Sequence, residues 1–351
     1  MKTLKNKKKF NVAVVGVGAV GAEMLRVLRQ HNFPIGTLKV LARSARKINV
    51  DGQEYNVEKI TNNSFEGIDF ALFAGTEGAK GAAVTYAPAA VKSGAIVIDN
   101  GSDFRLNKDV PLIVPEVNAA DAKKHKGIIA NPNCSTIQMV AAIAPIYKKV
   151  GIKRIIVSTY QAASGAGKSA LKQLWDETAK MHSSKKLDNA VICPMLSEKD
   201  FKPEAFPHQL AFNLLAQIGG FGEDDYTSEE WKMVHETHKI FKTKKIKISA
   251  TCIRVPVLNS HSESIYLETA KPITPQAVKK LLQTAKGVVV VDDPKKGLYP
   301  MPGKASGTDQ VYVGRIRRDP FVKNGLWLWV VSDNLRKGAA ANAVQIAECL
   351  I

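Results

Sequence analysis

Cysteine is scarce in this chain. Its 351 residues hold only Cys134, Cys193, Cys252 and Cys349. The four are far apart, with no CxxC pair and no zinc-type spacing. That argues against a disulfide framework and a metal site, and for a reducing, cytoplasmic setting. No apolar run approaches the roughly 20 residues of a transmembrane helix, so no membrane association is expected. The basic start "MKTLKNKKKF" is like the head of a secretory leader. "NVAVVGVGAVGAEMLRVL" follows, reads as strand then helix, and has no small-residue cleavage site, so secretion is not expected. Acidic residues are few, 32 Asp and Glu against 50 Lys and Arg, giving a formal net charge of +18. The lysines are scattered over polar helix faces such as "AVKKLLQTAKG", with no aromatic-basic interleaving. A nucleic-acid partner is therefore not expected. A positive field suits a polyanionic cofactor and a phosphorylated substrate instead.

The chain is long enough, and at 45% hydrophobic apolar enough, for a sizeable core and two domains. "FNVAVV", "TLKVLA", "IDFALFAG", "AIVIDNG" and "LIVPEVN" read as buried strands. Helical "AVGAEMLRVLRQH" and "APAAVKSG" lie between them. Strand–helix alternation over the first 130 residues argues for a parallel sheet covered on both faces. After Pro132 the texture changes to runs such as "RIIVSTYQA", "KIKISATCIRVPV", "VYVGRIRRD" and "LWLWVVSDN", with period-two character. The expected architecture is α/β: a Rossmann-type domain, then an α+β domain with a mixed sheet. The expected domains are 1–132, completed by a C-terminal helix over 335–351, and 133–334.

Gly16, Gly18 and Gly21 form G-x-G-x-x-G directly after a strand and at the opening of a helix, the dinucleotide-binding context. The backbone from Gly18 through Ala19 and Val20 to Gly21 is expected to face the pyrophosphate at a helix N-terminus. An NAD site normally puts Asp or Glu at the end of the second strand. This chain lacks that acid and offers Arg43, Ser44 and Arg46, which suit a 2′-phosphate, so NADP is expected.

Cys134 follows "NPN" and opens "STIQMVAAIA". Pro132 disfavours helix before it, and the composition favours helix after it. A helix N-terminus favours a thiolate, so Cys134 reads as a nucleophile, with a packed structural cysteine as the alternative. A thiolate beside a nicotinamide suggests thioester chemistry, which needs a proton shuttle. His261 stands out among seven histidines because it lies on a short loop between two strands in "RVPVLNSHSESIYLE". Arg254, on the first of those strands, is a natural carboxylate clamp.

Together "GVGAVG", "VLARSARK", "DNGSDFRL", "NPNCSTIQMV", "IIVSTYQAASGAGK", "EEWKMVHETHKIF", "ATCIRVPVLNSHSES" and "VSDNLRKGAAANAVQIAE" resemble the aspartate-semialdehyde dehydrogenase family over nearly the whole chain. The resemblance implies that Cys134 is the nucleophile, His261 the acid/base, and Gln161 a group orienting the acyl-enzyme. It implies that Arg254 binds the substrate α-carboxylate and Glu229 the α-ammonium, with the adjacent Glu230 as the other choice. Arg105 and Lys232 are expected to bind the phosphoryl group or inorganic phosphate. Ser164, Gly165 and Asn334 are expected at the nicotinamide. The implied reaction is NADPH-dependent reductive dephosphorylation of L-aspartyl 4-phosphate through a cysteine thioester, serving lysine, threonine, methionine and diaminopimelate synthesis. A homodimer, possibly a tetramer, is implied, formed through the sheet of the second domain. Arg46 stands where the family often has Gly. N-acetyl-γ-glutamyl-phosphate reductase is the rival enzyme, but its acylated amine leaves an ammonium-binding Glu without purpose. A non-catalytic NADP-binding paralogue is a further alternative.

Overall fold

The computed structural model describes residues 7–75, 81–183, 196 and 204–351. Cys193 lies outside them. The first sheet comprises β1 (Phe10–Val15), β2 (Ile35–Ala42), β3 (Arg46–Val50), β4 (Gln53–Lys59), β5 (Phe70–Phe73), β6 (Ile96–Asp99) and β7 (Ile128–Ala130). Its order is β3-β4-β2-β1-β5-β6-β7. Alternation along β1 explains why both faces are covered. Val12 and Val14 pack with Met24 and Leu25 of α1 (Ala19–Gln30), while Ala13 and Val15 pack with Ala83 and Ala87 of α2 (Ala82–Lys92).

Two expectations are corrected. The sheet is not wholly parallel, because β3 runs antiparallel to β4 at the edge. Asp51 and Gly52 both have positive φ, 51° and 83°, which is what a two-residue hairpin turn needs. "LIVPEVN" is not a strand: only Leu112 bridges to Ala130, and Pro115 opens the short α3 (Pro115–Asn118). Pro fixes φ and lacks the N–H that a ladder needs, and the Asn118 side chain takes the Val114 N–H instead.

The second sheet comprises β8 (Ile152–Gln161), β9 (Lys247–Arg254), β10 (His261–Thr269), β11 (Val288–Val290), β12 (Val311–Arg318) and β13 (Gly325–Ser332). Its order is β11-β12-β13-β10-β8-β9, with β8–β9 and β11–β12 parallel and the remaining pairs antiparallel. The inner face packs on α4 (Cys134–Val150), α6 (Ser228–Phe241) and α7 (Pro275–Gln283), with α5 (Lys168–Ser183) preceding α6 in the chain. The outer face carries exposed Ile156 and half-buried Trp327 and Trp329. A short α8 (Pro302–Ala305) precedes β12.

The chain end returns to the first sheet. Residues 336–340 make a π-turn, and α9 (Ala341–Glu348) buries Ala343, Val344 and Ala347 against the α1 side. Polar groups pin this return. Lys337, 0% exposed, donates to both Glu116 oxygens at 2.8 and 2.7 Å. Arg336 spans Glu23, Gln30 and Asp309. His31, at the end of α1, sits between Glu348 and Asp309 at 2.8 and 2.9 Å.

Burial lowers the His31 pKa, but the hydrogen bonds to Asp309 and Glu348 and their charges outweigh it, so the net shift is upward. The folded value thus lies above the unfolded one. The contribution is full below the unfolded pKa of about 6.5 and is lost as pH rises through the raised folded value. Urea midpoints of wild type and His31→Asn are expected to differ more at pH 6 than at pH 9. Equal differences at both would mean the pair contributes no charge-dependent stability.

Candidate active site

A cleft of about 710 Å³ lies between the two sheets. One wall is the turn from β1 into α1. Gly16 there has φ +96°, and a Cβ on Gly21 would lie 1.9 Å from the Gly16 carbonyl oxygen, so helix and turn meet only because Gly21 is glycine. A Cβ on Gly18 would meet nothing within 4 Å. Gly18 caps α1 without any side-chain bond, leaving the first helical N–H groups open. Gly16, Gly18, Ala19, Val20 and Gly21 all line the cleft, and the arrangement fits a pyrophosphate. Arg43, Ser44 and Arg46 do not line it. All three are exposed, Arg43 and Ser44 on the turn after β2, whose Leu41 carbonyl accepts the Gly16 N–H at 2.8 Å, and Arg46 at the start of β3. Arg46 donates to the Ser44 hydroxyl at 3.1 Å.

The facing wall is built around the start of α4. The Asn133 side chain accepts the N–H groups of Ser135 and Thr136 at 3.0 and 3.2 Å, capping the helix. Cys134 is the first helical residue and keeps some surface on the cleft. The expectation of a stabilised thiolate is corrected. Burial pushes the thiol up to about 12, with Glu229 adding to the rise, against the lowering by Arg105, Arg254 and the Ser135 N–H. Desolvation of the anion outweighs the helix end.

α6 supplies the acids. Thr227 and Glu230 form its capping box, and Glu230 also accepts the Cys252 N–H at 2.9 Å, so Glu230 is spent on structure. Glu229 faces the cleft. It accepts from Asn133 Nδ2 at 2.7 Å, Gln161 Nε2 at 3.2 Å and Lys232 Nζ at 3.4 Å. Burial raises its pKa, but Lys232, Asn133, Gln161 and Arg105 more than reverse that, so it stays ionised. One more acid, Glu236, was not singled out from sequence. It accepts the Asn133 N–H at 2.7 Å and Arg105 Nη1 at 3.1 Å. Its position two helical turns after Glu229, on the same face, was the available signal. Lys239, a further turn fraction on, donates to the carbonyls of Arg105, Asn107 and Val110 and holds the loop bearing Arg105.

Arg254 ends β9, donates to the Ala162 carbonyl at 2.7 Å, and lies 5.8 Å over the Phe206 ring. His261 is wholly buried just behind the cleft wall. A Cβ on Gly165 would lie 3.1 Å from its Nε2 and 2.9 Å from Arg254 Nη1, so both groups press against Gly165. The Ala162 N–H donates to His261 Nδ1 at 3.1 Å. The neutral ring therefore carries its proton on Nε2, which has no other partner among the described residues. Burial, then the Arg254 charge, pushes this pKa well below 6.5, so the ring is neutral. Asn334 Nδ2 donates to the Ser164 hydroxyl at 2.9 Å, and both residues line the cleft with Gly165. Among the described residues, no group of three or more His, Cys, Asp or Glu could hold a metal ion.

The chain matches the family described as "Semialdehyde dehydrogenase, NAD binding domain" over residues 11–125 and "Semialdehyde dehydrogenase, dimerisation domain" over 143–337. It is 51% identical over 350 residues to the aspartate-semialdehyde dehydrogenase of Aquifex aeolicus, covering 97% of this chain and 98% of the relative. It resembles the crystal structure of aspartate semialdehyde dehydrogenase II complexed with ASA from Vibrio cholerae, with TM-score 0.89, 41% identity and 98% of each chain covered. It also resembles the aspartate semialdehyde dehydrogenase with NADP from Candida albicans, with TM-score 0.70, 25% identity, and 97% and 98% of the two chains covered.

A Cβ on Gly338, in the π-turn, would lie 2.7 Å from Cys134 Cβ and 3.3 Å from its Cα. Gly338→Ala is therefore expected to push Cys134 aside. The rate of iodoacetamide alkylation at Cys134, followed by peptide mass spectrometry, should change by about tenfold or more. An unchanged rate in the folded variant would show that the helix start yields freely.

Proposed function

The chain belongs to the aspartate-semialdehyde dehydrogenase family, and on that premise we propose that it carries out the NADPH-dependent reductive dephosphorylation of L-aspartyl 4-phosphate to L-aspartate 4-semialdehyde. The observation that carries this reading is one cleft holding both the Gly16–Gly21 turn and Cys134, with Arg254, Glu229, Arg105 and Lys232 around the thiol. The charges match the substrate. The Arg254 guanidinium suits the α-carboxylate, the ionised Glu229 suits the α-ammonium, and Arg105 with Lys232 suits the phosphate. The ammonium-binding Glu229 favours aspartyl phosphate over an N-acylated substrate. Division of labour follows: residues 1–132 with 335–351 hold most of the dinucleotide and lend Arg105 to the phosphate, and 133–334 hold the rest of the substrate and the nicotinamide side.

Cys134 attacks the acyl carbon. A C–S bond forms, the C–O bond to phosphate breaks, the thiol proton ends on the leaving phosphate, and the resulting dianion is held by Arg105 and Lys232. Gln161, tied to Glu229, keeps the thioester in place. Bound NADPH supplies the hydride that reduces the thioester. His261 donates an Nε2–H hydrogen bond to the oxygen that gains charge while its Nδ1 stays engaged with the Ala162 N–H, and collapse of that oxyanion breaks the C–S bond and releases the aldehyde. Glu229 has a second consequence. In the free enzyme its charge helps keep the thiol protonated, and a substrate ammonium beside it removes that effect, so thiolate formation is coupled to substrate arrival. The exposed Arg43, Ser44 and Arg46 are assigned to the 2′-phosphate. The outer face of the second sheet is assigned to a homodimer contact. A cytoplasmic location follows from the pathway.

Phosphate-dependent reduction of NADP+ with L-aspartate semialdehyde is the direct assay. Wild type is expected to be active, to need phosphate, to prefer NADP+ to NAD+, and to ignore N-acetylglutamate semialdehyde. Cys134→Ala should be inactive. Turnover of the acetylated aldehyde alone would move the enzyme to the sister reaction.

Glu229→Gln separates the two roles of that acid. It should raise KM for the aldehyde about tenfold or more, as losing one partner of a buried charge contact does. It should also speed alkylation of Cys134 in the free enzyme, because the thiol pKa falls. Slower alkylation would remove Glu229 from control of the thiol.

A further inference from the structure

Between α5 and α6 runs a stretch, residues 204–215, to which the reaction above gives no task. Its fastening is read from one face of α5. Ala170, Gln173, Leu174, Glu177 and Met181 are buried, at spacings of three and four that put them on one side of the helix. Leu174 and Met181 pack with Leu210, Ala211 and Leu215, and the same cluster takes in Ala163 beside the cleft. Gln173 and Glu177 are the polar members of this stripe, 5% and 0% exposed.

Both polar side chains serve as acceptors for backbone. Gln173 Nε2 donates to Glu177 Oε1 at 2.8 Å, which fixes the way its amide points. Gln173 Oε1 then accepts the N–H groups of Glu204, Ala205 and Phe206 at 3.0, 2.7 and 3.3 Å. Glu177 Oε2 accepts those of Leu210 and Ala211 at 2.9 and 2.8 Å. An irregular segment has no ladder to satisfy its N–H groups, and two side chains of one helix face do so here. At its end the segment joins β9: the Leu215 N–H donates to the Arg254 carbonyl at 3.0 Å, and the Arg254 N–H to the Leu215 carbonyl at 2.8 Å.

The fastening brings one ring to Arg254. The guanidinium carbon lies over the face of half-buried Phe206, 5.8 Å from the ring centre, and Phe206 does not line the cleft. A guanidinium has five N–H donors, and Nη1 already gives one to the Ala162 carbonyl at 2.7 Å. The face of an aromatic ring attracts the cation through its quadrupole and leaves the remaining donors for a carboxylate. An acid in the place of Phe206 would hold the cation too, but it would take the donors and the charge that a substrate carboxylate needs.

We propose that Phe206 is a positioning residue for the substrate carboxylate: fastened to α5 through Gln173 and Glu177, its ring holds the Arg254 guanidinium in the orientation that grips that group. The proposal rests on the reaction assigned above, and Phe206 acts through Arg254. Because the attraction needs an aromatic face, tyrosine should serve in its place and leucine should not.

The test compares wild type, Phe206→Leu, Phe206→Tyr and Gln173→Leu as full-length enzymes, with circular dichroism to establish folding. Two aldehydes are used: L-aspartate semialdehyde, and 3-aminopropanal, which is the same molecule without its α-carboxylate. Phe206→Leu should raise KM for the first about threefold or more, with kcat within about twofold, as loss of a binding contact does. Its kcat/KM for 3-aminopropanal should stay within about twofold of wild type. Phe206→Tyr should match wild type on both, and Gln173→Leu should follow Phe206→Leu. If Gln173→Leu does not fold, the half-buried position 206 decides the matter. An equal loss on both aldehydes would overturn the proposal, as would a wild-type KM in Phe206→Leu or a Phe206→Tyr enzyme as poor as Phe206→Leu. Protection of Cys134 from iodoacetamide by L-2-aminobutyrate, the substrate skeleton with a methyl group for the aldehyde, reads the same grip without turnover. Its half-protecting concentration should rise about threefold or more in Phe206→Leu. A wild type inactive on aspartate semialdehyde would sink the assigned reaction, while the protection shift still decides the role of Phe206.

Discussion

Asn133 is the joint on which the reactive centre depends. Its Oδ1 caps the helix that begins with Cys134, its Nδ2 binds Glu229, and its backbone N–H binds Glu236. The orphan N–H groups of a helix start need partners, and here the partner is itself held by two buried acids. Those acids come from one face of α6, and each carries a cation in turn: Lys232 on Glu229, Arg105 on Glu236. The positions of Cys134, Glu229 and Arg105 are therefore set by one hydrogen-bonded unit rather than by three.

This unit explains why so many charges stand in a largely buried cleft. A buried ion alone costs far more than its neighbours return, but a connected network shares the desolvation. Burial also sets the resting chemistry of two groups, keeping the thiol protonated and the imidazole neutral, while Lys232, Asn133 and Gln161 keep Glu229 ionised against it. Activation must come from what enters. The helix N-terminus, read from sequence as the activator of Cys134, is outweighed by desolvation.

Much of the fold was legible before the structure. "FNVAVVGVGAVG" announces strand, tight turn and helix because the glycine spacing has one steric purpose, seen in the 1.9 Å approach at Gly21. The return of the C-terminal helix was legible from its alanine-rich apolar stripe. The β3–β4 hairpin was also written, in Asp51-Gly52, and was passed over because the charged run around it hides the alternation. "LIVPEVN" misled because an apolar run before Pro has strand composition whether or not a neighbour strand can pair with it.

The candidate site divides the same way. Position and residue chemistry singled out Cys134, His261 and Arg254 as candidates, and the family resemblance added Gln161, Glu229, Arg105 and Lys232. Sequence also determined the family, the dinucleotide turn and the two-part architecture. Only the tertiary structure decided that Glu229 faces the cleft while Glu230 caps its helix, that Glu236 holds Arg105, that Gly338 leaves room for Cys134, and that the Cys134 thiol rests protonated. Each of these depends on what lies across the chain within a few ångströms. Distance through space and loss of water are not properties of any residue's neighbours in sequence.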